Sequence, residues 1–200
     1  MDLTIINLLG ILISYLIGSI SSSILIARAM NLPDPRNLGS GNPGATNMLR
    51  TGNKKAAAIT LFGDLLKGLL PVLVARSFNV DSYVLCLIGL AAIIGHMYPI
   101  YYRFTGGKGV ATTLGVLLGI HWQLALIWVA MWLVMAKLFR YSSLAALVAT
   151  VLLPVSSYLL NQPSVVTITC IIIAILVIWR HRSNINKLLS GQESKIKNKS

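Results

Sequence analysis

Acidic side chains are scarce in this 200-residue sequence: Asp2, Asp34, Asp64, Asp81 and Glu193 are all it has. Chemistry driven by paired carboxylates therefore has little to draw on. Cysteine is rarer still, and Cys86 and Cys170 both sit inside long apolar stretches, far from a second Cys or His at zinc-site spacing. A metal centre and a redox pair are excluded on that ground, and no Cys/His/Asp/Glu cluster offers a ligand set. Nor is there a Gly-x-Ser-x-Gly nucleophile elbow. Charged residues of either sign make up only 11% of the chain, against about 25% in soluble domains. With 56% hydrophobic residues and a mean hydropathy of +0.76, a water-soluble globule is excluded.

The charge that is present is one-sided, 17 Lys and Arg giving a net +12. In a soluble chain that excess points to nucleic acid. Here the basic residues are dispersed between apolar runs and the aromatics lie inside those runs, so no nucleic-acid partner is expected. Membrane proteins keep Lys and Arg in cytoplasmic loops, so the excess records topology and anionic lipid or substrate.

The fold class expected is all-α, a polytopic integral membrane protein whose 1–200 form a single transmembrane domain. The charge-free run 3–27 exceeds the roughly 20 residues needed to cross a bilayer. It is not a signal peptide: Asp2 precedes it, a basic leader is missing and the run is too long. Gly10, Ser14, Gly18 and Ser22 recur every fourth residue and make one face fit for close helix contact. Further spans are expected at 56–75, which carries Asp64 and Lys67 on one face, and at 82–101, which bears His96. The 28 residues from Gly109 to Ala136 read as one span by hydropathy alone, giving six in all. Six spans put the basic C-terminus on the same side as the N-terminus. Splitting that stretch at Ile120-His121-Trp122 into 109–120 and 122–137, followed by 142–160 and 164–180, gives seven. With the N-terminus outside, the inner segments then hold every Lys and Arg except Arg76 and the intramembrane Lys67. The basic tail, 190–200, is expected to be a flexible contact with anionic lipid.

This topology places the polar motifs on the inner side. The loop Asn37-Leu38-Gly39-Ser40-Gly41-Asn42-Pro43-Gly44-Ala45-Thr46-Asn47 runs to Arg50 and is rich in donors and free of carboxylates. Three glycines are expected to leave amide N–H groups open to a ligand, which suits a phosphate. No Gly-Lys-Ser/Thr ending and no preceding strand accompany it, so ATP is not expected; a plain polar turn between helices is the alternative. Lys108, flanked by Gly106-Gly107 and Gly109 at the entrance to a helix, fits a phosphate-binding lysine or a simple topological charge. Arg180-His181-Arg182 is either an interfacial anchor or the carrier of a histidine able to act near neutral pH. Asp64 and Lys67 either mark function or neutralise each other inside a bundle.

Taken together, Gly39-Ser40-Gly41-Asn42-Pro43-Gly44-Ala45-Thr46-Asn47, Gly106-Gly107-Lys108-Gly109-Val110-Ala111-Thr112 and Arg180-His181-Arg182-Ser183-Asn184-Ile185 resemble the bacterial acyl-phosphate:glycerol-3-phosphate acyltransferase family, over nearly the whole chain and in the right order. The resemblance implies a seven-helix enzyme of the bacterial inner membrane, active on the cytoplasmic side. Its implied reaction moves a fatty acyl group from acyl phosphate to the 1-hydroxyl of glycerol 3-phosphate, giving lysophosphatidic acid and phosphate in the first committed step of phospholipid synthesis. It implies no cofactor, membrane lipid as surroundings, and transient contact with an enzyme that makes acyl phosphate. Ser40, Gly41, Asn42, Asn47, Arg50, Gly107 and Lys108 are implied phosphate binders, and His181 and Asn184 orient the glycerol phosphate. Ser143, in Arg140-Tyr141-Ser142-Ser143-Leu144, matches a polar residue that the family places after the fifth helix; Lys108, Ser143 and His181 are the implied catalytic residues. The family carries a further serine where this chain has Ala146. No His is followed four residues later by Asp, the pairing that coenzyme-A-dependent glycerolipid acyltransferases use.

Acyl phosphate is a mixed anhydride whose phosphate leaves without strong protonation. The demanding step is hydroxyl attack and stabilisation of the oxyanion, which positioning and electrostatics can supply. The hydroxyl proton is expected to pass to a substrate phosphate oxygen, with His181 the other acceptor. A transporter or channel for a phosphorylated anion is the competing reading. Against it stand the clustering of polar residues at one face and the lack of paired, broken inverted repeats.

Overall fold

A computed structural model of the chain describes residues 4–50 and 52–196. Asp2, which precedes the first expected span, Leu3, which starts it, and Lys197 and Lys199 of the basic tail lie outside the described residues. Among those described there are eleven α-helices and no strand, as an all-α class requires. The chain forms two compact units, 1–120 and 121–200. Their boundary falls at His121, where the sequence places a break in the long apolar stretch.

In the first unit, α1 (Ile5–Gly18) and α2 (Ser22–Ala29) come from a single charge-free run, yet they meet at a bend of 44°. The run expected as one straight span at 3–27 is thus a broken one. At the break the Ser19 hydroxyl turns back onto the Tyr15 carbonyl at 2.8 Å, an intrahelical bond that commonly bends helices. A short 3-10 turn, Pro35–Asn37, and α3 (Ala45–Arg50) follow. Then come α4 (Lys54–Ser77), α5 (Ser82–Met97), a second 3-10 turn at Ile100–Tyr102, and α6 (Val110–Ile120). Asn53 caps α4, its side chain accepting from the Ala56 amide at 2.9 Å. Asn31 and Asn79 hold left-handed backbone just beyond α2 and α4, the conformation that ends a helix and that asparagine tolerates best after glycine.

The helices of this unit touch through small residues. α1 lies along α5 and α4 along α6. A methyl group on Gly18 would collide with the backbone of Ala92, one on Gly115 with the backbone of Leu65, and one on Gly68 with that of Thr112. Ser14 adds a hydrogen bond from its hydroxyl to the Ile88 carbonyl at 2.7 Å. Within an apolar solvent such contacts hold helices together by van der Waals fit and short hydrogen bonds.

The second unit contains α7 (Trp122–Phe139), α8 (Ser142–Val151), α9 (Leu153–Leu159), α10 (Ser164–Arg180) and α11 (Arg182–Leu189). α8 packs between α7 and α10, and Trp128 donates to the Thr150 hydroxyl at 3.1 Å. Pro154, at the start of α9, has no N–H with which to continue α8, and the helix restarts there. α10 and α11 meet at 62° at His181. Residues 190–196, the described part of the expected flexible tail, fold back on their own unit: the Ile196 amide donates to the Arg140 carbonyl at 2.6 Å.

Among the described residues, four helices are long and apolar enough to cross a membrane, and up to six if each bent pair is one span. α6 is apolar too but has 11 residues, short of the roughly 20 for a full crossing. Large apolar side chains face outward along α1, α7 and α10, among them Ile5, Leu133 and Ile175, which a lipid environment would cover.

The contact between α4 and α6 gives a direct test. Gly115→Val should lower stability by about 1–3 kcal/mol, because the new side chain cannot fit against Leu65. Gly10→Ala, whose methyl would lie in ordinary contact with Ile88 at 3.5 Å, should shift it by no more than about 0.5 kcal/mol. Thermal unfolding in detergent, followed by tryptophan fluorescence, compares the two.

Candidate active site

In the first unit, two loops carry the phosphate-type motifs. The 35–50 loop is built around Asn47, which is 1% exposed. Its Oδ1 accepts from the Ser40 amide at 2.9 Å and the Ser40 hydroxyl at 3.2 Å, while its Nδ2 donates to the carbonyls of Pro35 at 2.7 Å and Leu38 at 3.0 Å. Two acceptor and two donor positions are all that a carboxamide has, and the loop occupies all four. Arg50, one turn further along α3, brings its stem beside Gly39. Gly39 and Gly41 have φ of +53° and +68°, a region where glycine carries no steric penalty. The amides expected to be open to a ligand are largely engaged within the loop: Gly41 donates to Leu38 and Gly44 to Asn42, each at 2.9 Å. The exposed donors are side chains instead, Ser40 and Arg50 among them, with Asn42 half-buried.

Asp34 caps the Pro35–Asn37 turn and pairs with Arg36 at 2.6 Å. That hydrogen bond holds the Asp34 carboxyl below the ordinary carboxylate range, against a smaller opposing effect of burial. Arg36 also lies over the Tyr102 ring at 6.0 Å. Together with Arg28, Tyr101 and Arg103 these two residues line an open cavity of about 550 Å³. Sequence reasoning assigned no site to this basin, since 28, 36 and 103 share no motif and meet only through the fold.

The second loop seats Gly106 and Gly107 on the C-terminal end of α5. The Gly107 amide donates to the His96 carbonyl at 3.0 Å, and a Cβ on Gly107 would fall on the His96 imidazole. These two glycines are therefore needed for close approach, while Gly109, at φ +81°, is needed for its backbone conformation. Lys108 lies between them, half-buried, two residues before α6 begins.

Beneath this loop is a buried ionic group on α4 and α5. Lys67 Nζ is 3.0 Å from Asp64 Oδ1 and donates to the Ile20 carbonyl at 2.8 Å; His96 Nδ1 lies 3.7 Å from the same Asp64 oxygen. His96 had only a weak claim from sequence, since nothing in the spacing of 64, 67 and 96 joins them.

In the second unit, Ser143 and Asn184 are brought together by a residue that sequence reasoning left unassigned. The Ser143 hydroxyl and the Asn184 side-chain amide both donate to Oε1 of Glu193, at 2.8 and 2.9 Å. His181, 2% exposed, stands at the α10–α11 bend with Nδ1 against the Val177 carbonyl at 2.8 Å. A carbonyl can only accept, so Nδ1 carries the proton, and Nε2 of the neutral ring is an acceptor. Ala146 is buried on α8 and brings no polar group. Among the described residues no group of three or more His, Cys, Asp or Glu is placed to hold a metal ion.

These features define a class: an all-helical chain of membrane-spanning composition whose polar loops offer hydroxyl, amide and cationic donors with few carboxylates. The comparisons are more specific. Residues 8–191 match the glycerol-3-phosphate acyltransferase family. Proteins named glycerol-3-phosphate acyltransferase are 53% identical in Thioalkalivibrio sulfidiphilus (93% of this chain, 92% of that one) and 51% identical in Cupriavidus metallidurans (96% of each). Two crystal structures of PlsY (YgiH), an integral membrane glycerol 3-phosphate acyltransferase, resemble it closely. The glycerol 3-phosphate form gives a TM-score of 0.91 at 43% identity over 96% of each chain, and the lysophosphatidic acid form 0.88 at 42% over 94% of each. The chain belongs to the glycerol-3-phosphate acyltransferase family.

Two outcomes follow from the hydrogen-bond geometry. Asn47→Ala takes one hydrogen bond from each of the Pro35 and Leu38 carbonyls, leaving them the Leu38 and Gly41 amides, and releases Ser40, so tryptic cleavage after Arg36 or Arg50 should become several-fold faster, as about 1 kcal/mol per lost hydrogen bond implies. Glu193→Ala removes the shared acceptor of Ser143 and Asn184 and should lower thermal stability by about 1–3 kcal/mol, with Glu193→Gln in between.

Proposed function

We propose that this chain transfers a fatty acyl group from acyl phosphate to the 1-hydroxyl of glycerol 3-phosphate. The observation that carries the reading is its likeness, at a TM-score of 0.91 and 0.88, to a membrane acyltransferase solved in forms named for glycerol 3-phosphate and for lysophosphatidic acid. Those two molecules stand on either side of this reaction. The donor assignment draws on the chemistry of the loops. An acyl phosphate releases phosphate without a strong acid, and the two donor loops of the first unit offer cations, hydroxyls and amides where an acid would otherwise be needed.

In this reading Ser40, Asn42, Arg50 and Lys108 hold the phosphate groups; Gly41 and Gly107, whose amides donate to Leu38 and His96, serve by shaping the two loops, as Asn47 serves by fixing Ser40. Ser143, His181 and Asn184 orient the glycerol phosphate, with Glu193 holding the first and third. The glycerol oxygen attacks the acyl carbon, a new ester C–O bond forms, and the bond from acyl carbon to the bridging phosphate oxygen breaks. The hydroxyl proton passes to a substrate phosphate oxygen, and phosphate departs. His181, with Nε2 as an acceptor, is the competing destination. Preorganised cations around the phosphates lower the barrier by electrostatics and positioning.

The same reading sets seven spans, with the N-terminus outside, α6 and α7 crossing separately, and the polar loops at the cytoplasmic face of the bacterial inner membrane. The distribution of Lys and Arg supports it, and the shortness of α6 is tolerable where neighbouring helices shield its ends. A soluble enzyme that makes acyl phosphate would meet this face transiently.

The test is phosphate release by detergent-solubilised protein given palmitoyl phosphate, with and without glycerol 3-phosphate, and with palmitoyl-coenzyme A as control donor. Release that requires glycerol 3-phosphate and fails with the coenzyme A ester is expected; no release from folded protein would overturn the reading and favour transport of a phosphorylated anion. Lys108→Ala should reduce kcat/KM by on the order of a hundredfold or more and Ser143→Ala by less. His181→Gln should retain turnover at saturating substrate; its loss would move the proton to the histidine.

A further inference from the structure

Asp64, Lys67 and His96 are 2%, 6% and 7% exposed, and burying such groups in an apolar interior is strongly unfavourable unless each is paired. A buried ion pair adds little stability over apolar residues of equal size, so its value lies in what it fixes. Lys67 reaches the Ile20 carbonyl at the α1–α2 bend, 2.8 Å away, and Asp64 Oδ1 faces both Lys67 and the near edge of the His96 ring. The far edge of that ring, Nε2, is the surface on which the α-carbon of Gly107 rests, and the His96 carbonyl takes the Gly107 amide. Ile20, Pro43, Lys67, His96, Gly106 and Gly107 also border one small cavity of about 10 Å³. That space holds about one water and is too small for a phosphate.

We propose that Asp64, Lys67 and His96 are positioning residues: they lock the His96 ring as a seat for Gly107 and thereby set where Lys108 stands relative to the bend at Ile20. The inference rests on the phosphate-binding reading of Lys108 for its kinetic consequence, but the placement of the loop can be read separately.

The decisive probe is a Lys108→Cys carrier labelled with a charged, water-soluble maleimide; the chain's own Cys86 and Cys170 are buried, so the rate reports residue 108. In that carrier, Asp64→Asn/Lys67→Met removes both charges at similar volume, and His96→Gln leaves the ion pair intact should the double variant fail to fold. A change of about fivefold or more in labelling rate is expected, with thermal stability near that of the carrier. Labelling rates within twofold of the carrier in every variant that folds would overturn the proposal. In the chain that retains Lys108, the same substitutions should raise KM for glycerol 3-phosphate by about tenfold with kcat little changed, a split that loss of folded protein alone does not produce. Should Lys108→Ala leave KM untouched, the phosphate reading of Lys108 fails, and the labelling rate still decides whether the cluster seats the loop.

Discussion

Backbone-to-backbone contact between helices is the constraint on which the first unit depends. Gly18 against Ala92, Gly68 against Thr112 and Gly115 against Leu65 leave no room for a single added carbon. Such proximity has two effects. It gives short helices such as α6 enough contact to be held without a long apolar seam, and it brings side chains of separate helices to hydrogen-bonding range, as with Ser14 and Ile88. The bend between α1 and α2, the carbonyl it presents to Lys67 and the seat for the Gly106–Gly107 turn all build on that frame.

Each polar motif is stabilised by a side chain that stands behind the groups it presents. Asn47 holds Ser40, Glu193 holds Ser143 and Asn184, and His96 lies under Gly107. In every case the supporting residue is partly or wholly buried and hydrogen-bonded, which fixes the presented group before any ligand arrives. In the proposed reaction, pre-organisation of this kind lets a site low in acidic and basic catalysts lower a barrier, because the dipoles and charges need not reorient.

The helical class, the break at His121, the glycine faces and the two donor loops were legible in the sequence, because each is a local pattern: hydropathy period, small residues at fourfold spacing, or a cluster within one loop. The resemblance of three motifs likewise led to the family. What the sequence could not give was pairing over distance. Glu193 meets Ser143 across fifty positions, and no periodicity connects them. The charge-free run at the start looked continuous because a bend made by serine and glycine leaves hydropathy unchanged. The glycines of both loops were visible, but their purpose was not: open amides were expected of the first loop, where they are largely engaged within it, and Gly106 and Gly107 are there because the end of α5 passes too close for a side chain. Arg28, Arg36 and Arg103 read as topological charges and converge only in three dimensions.

The position of Glu193 has a consequence for how the protein is made. The residue follows every helix of its unit in sequence, so while the chain is being synthesised Ser143 and Asn184 are already present without the oxygen that joins them. The acceptor is therefore added to the chain after both of its donors. A chain ending before residue 193 keeps α7 to α11 and lacks the acceptor that joins that hydroxyl and that amide.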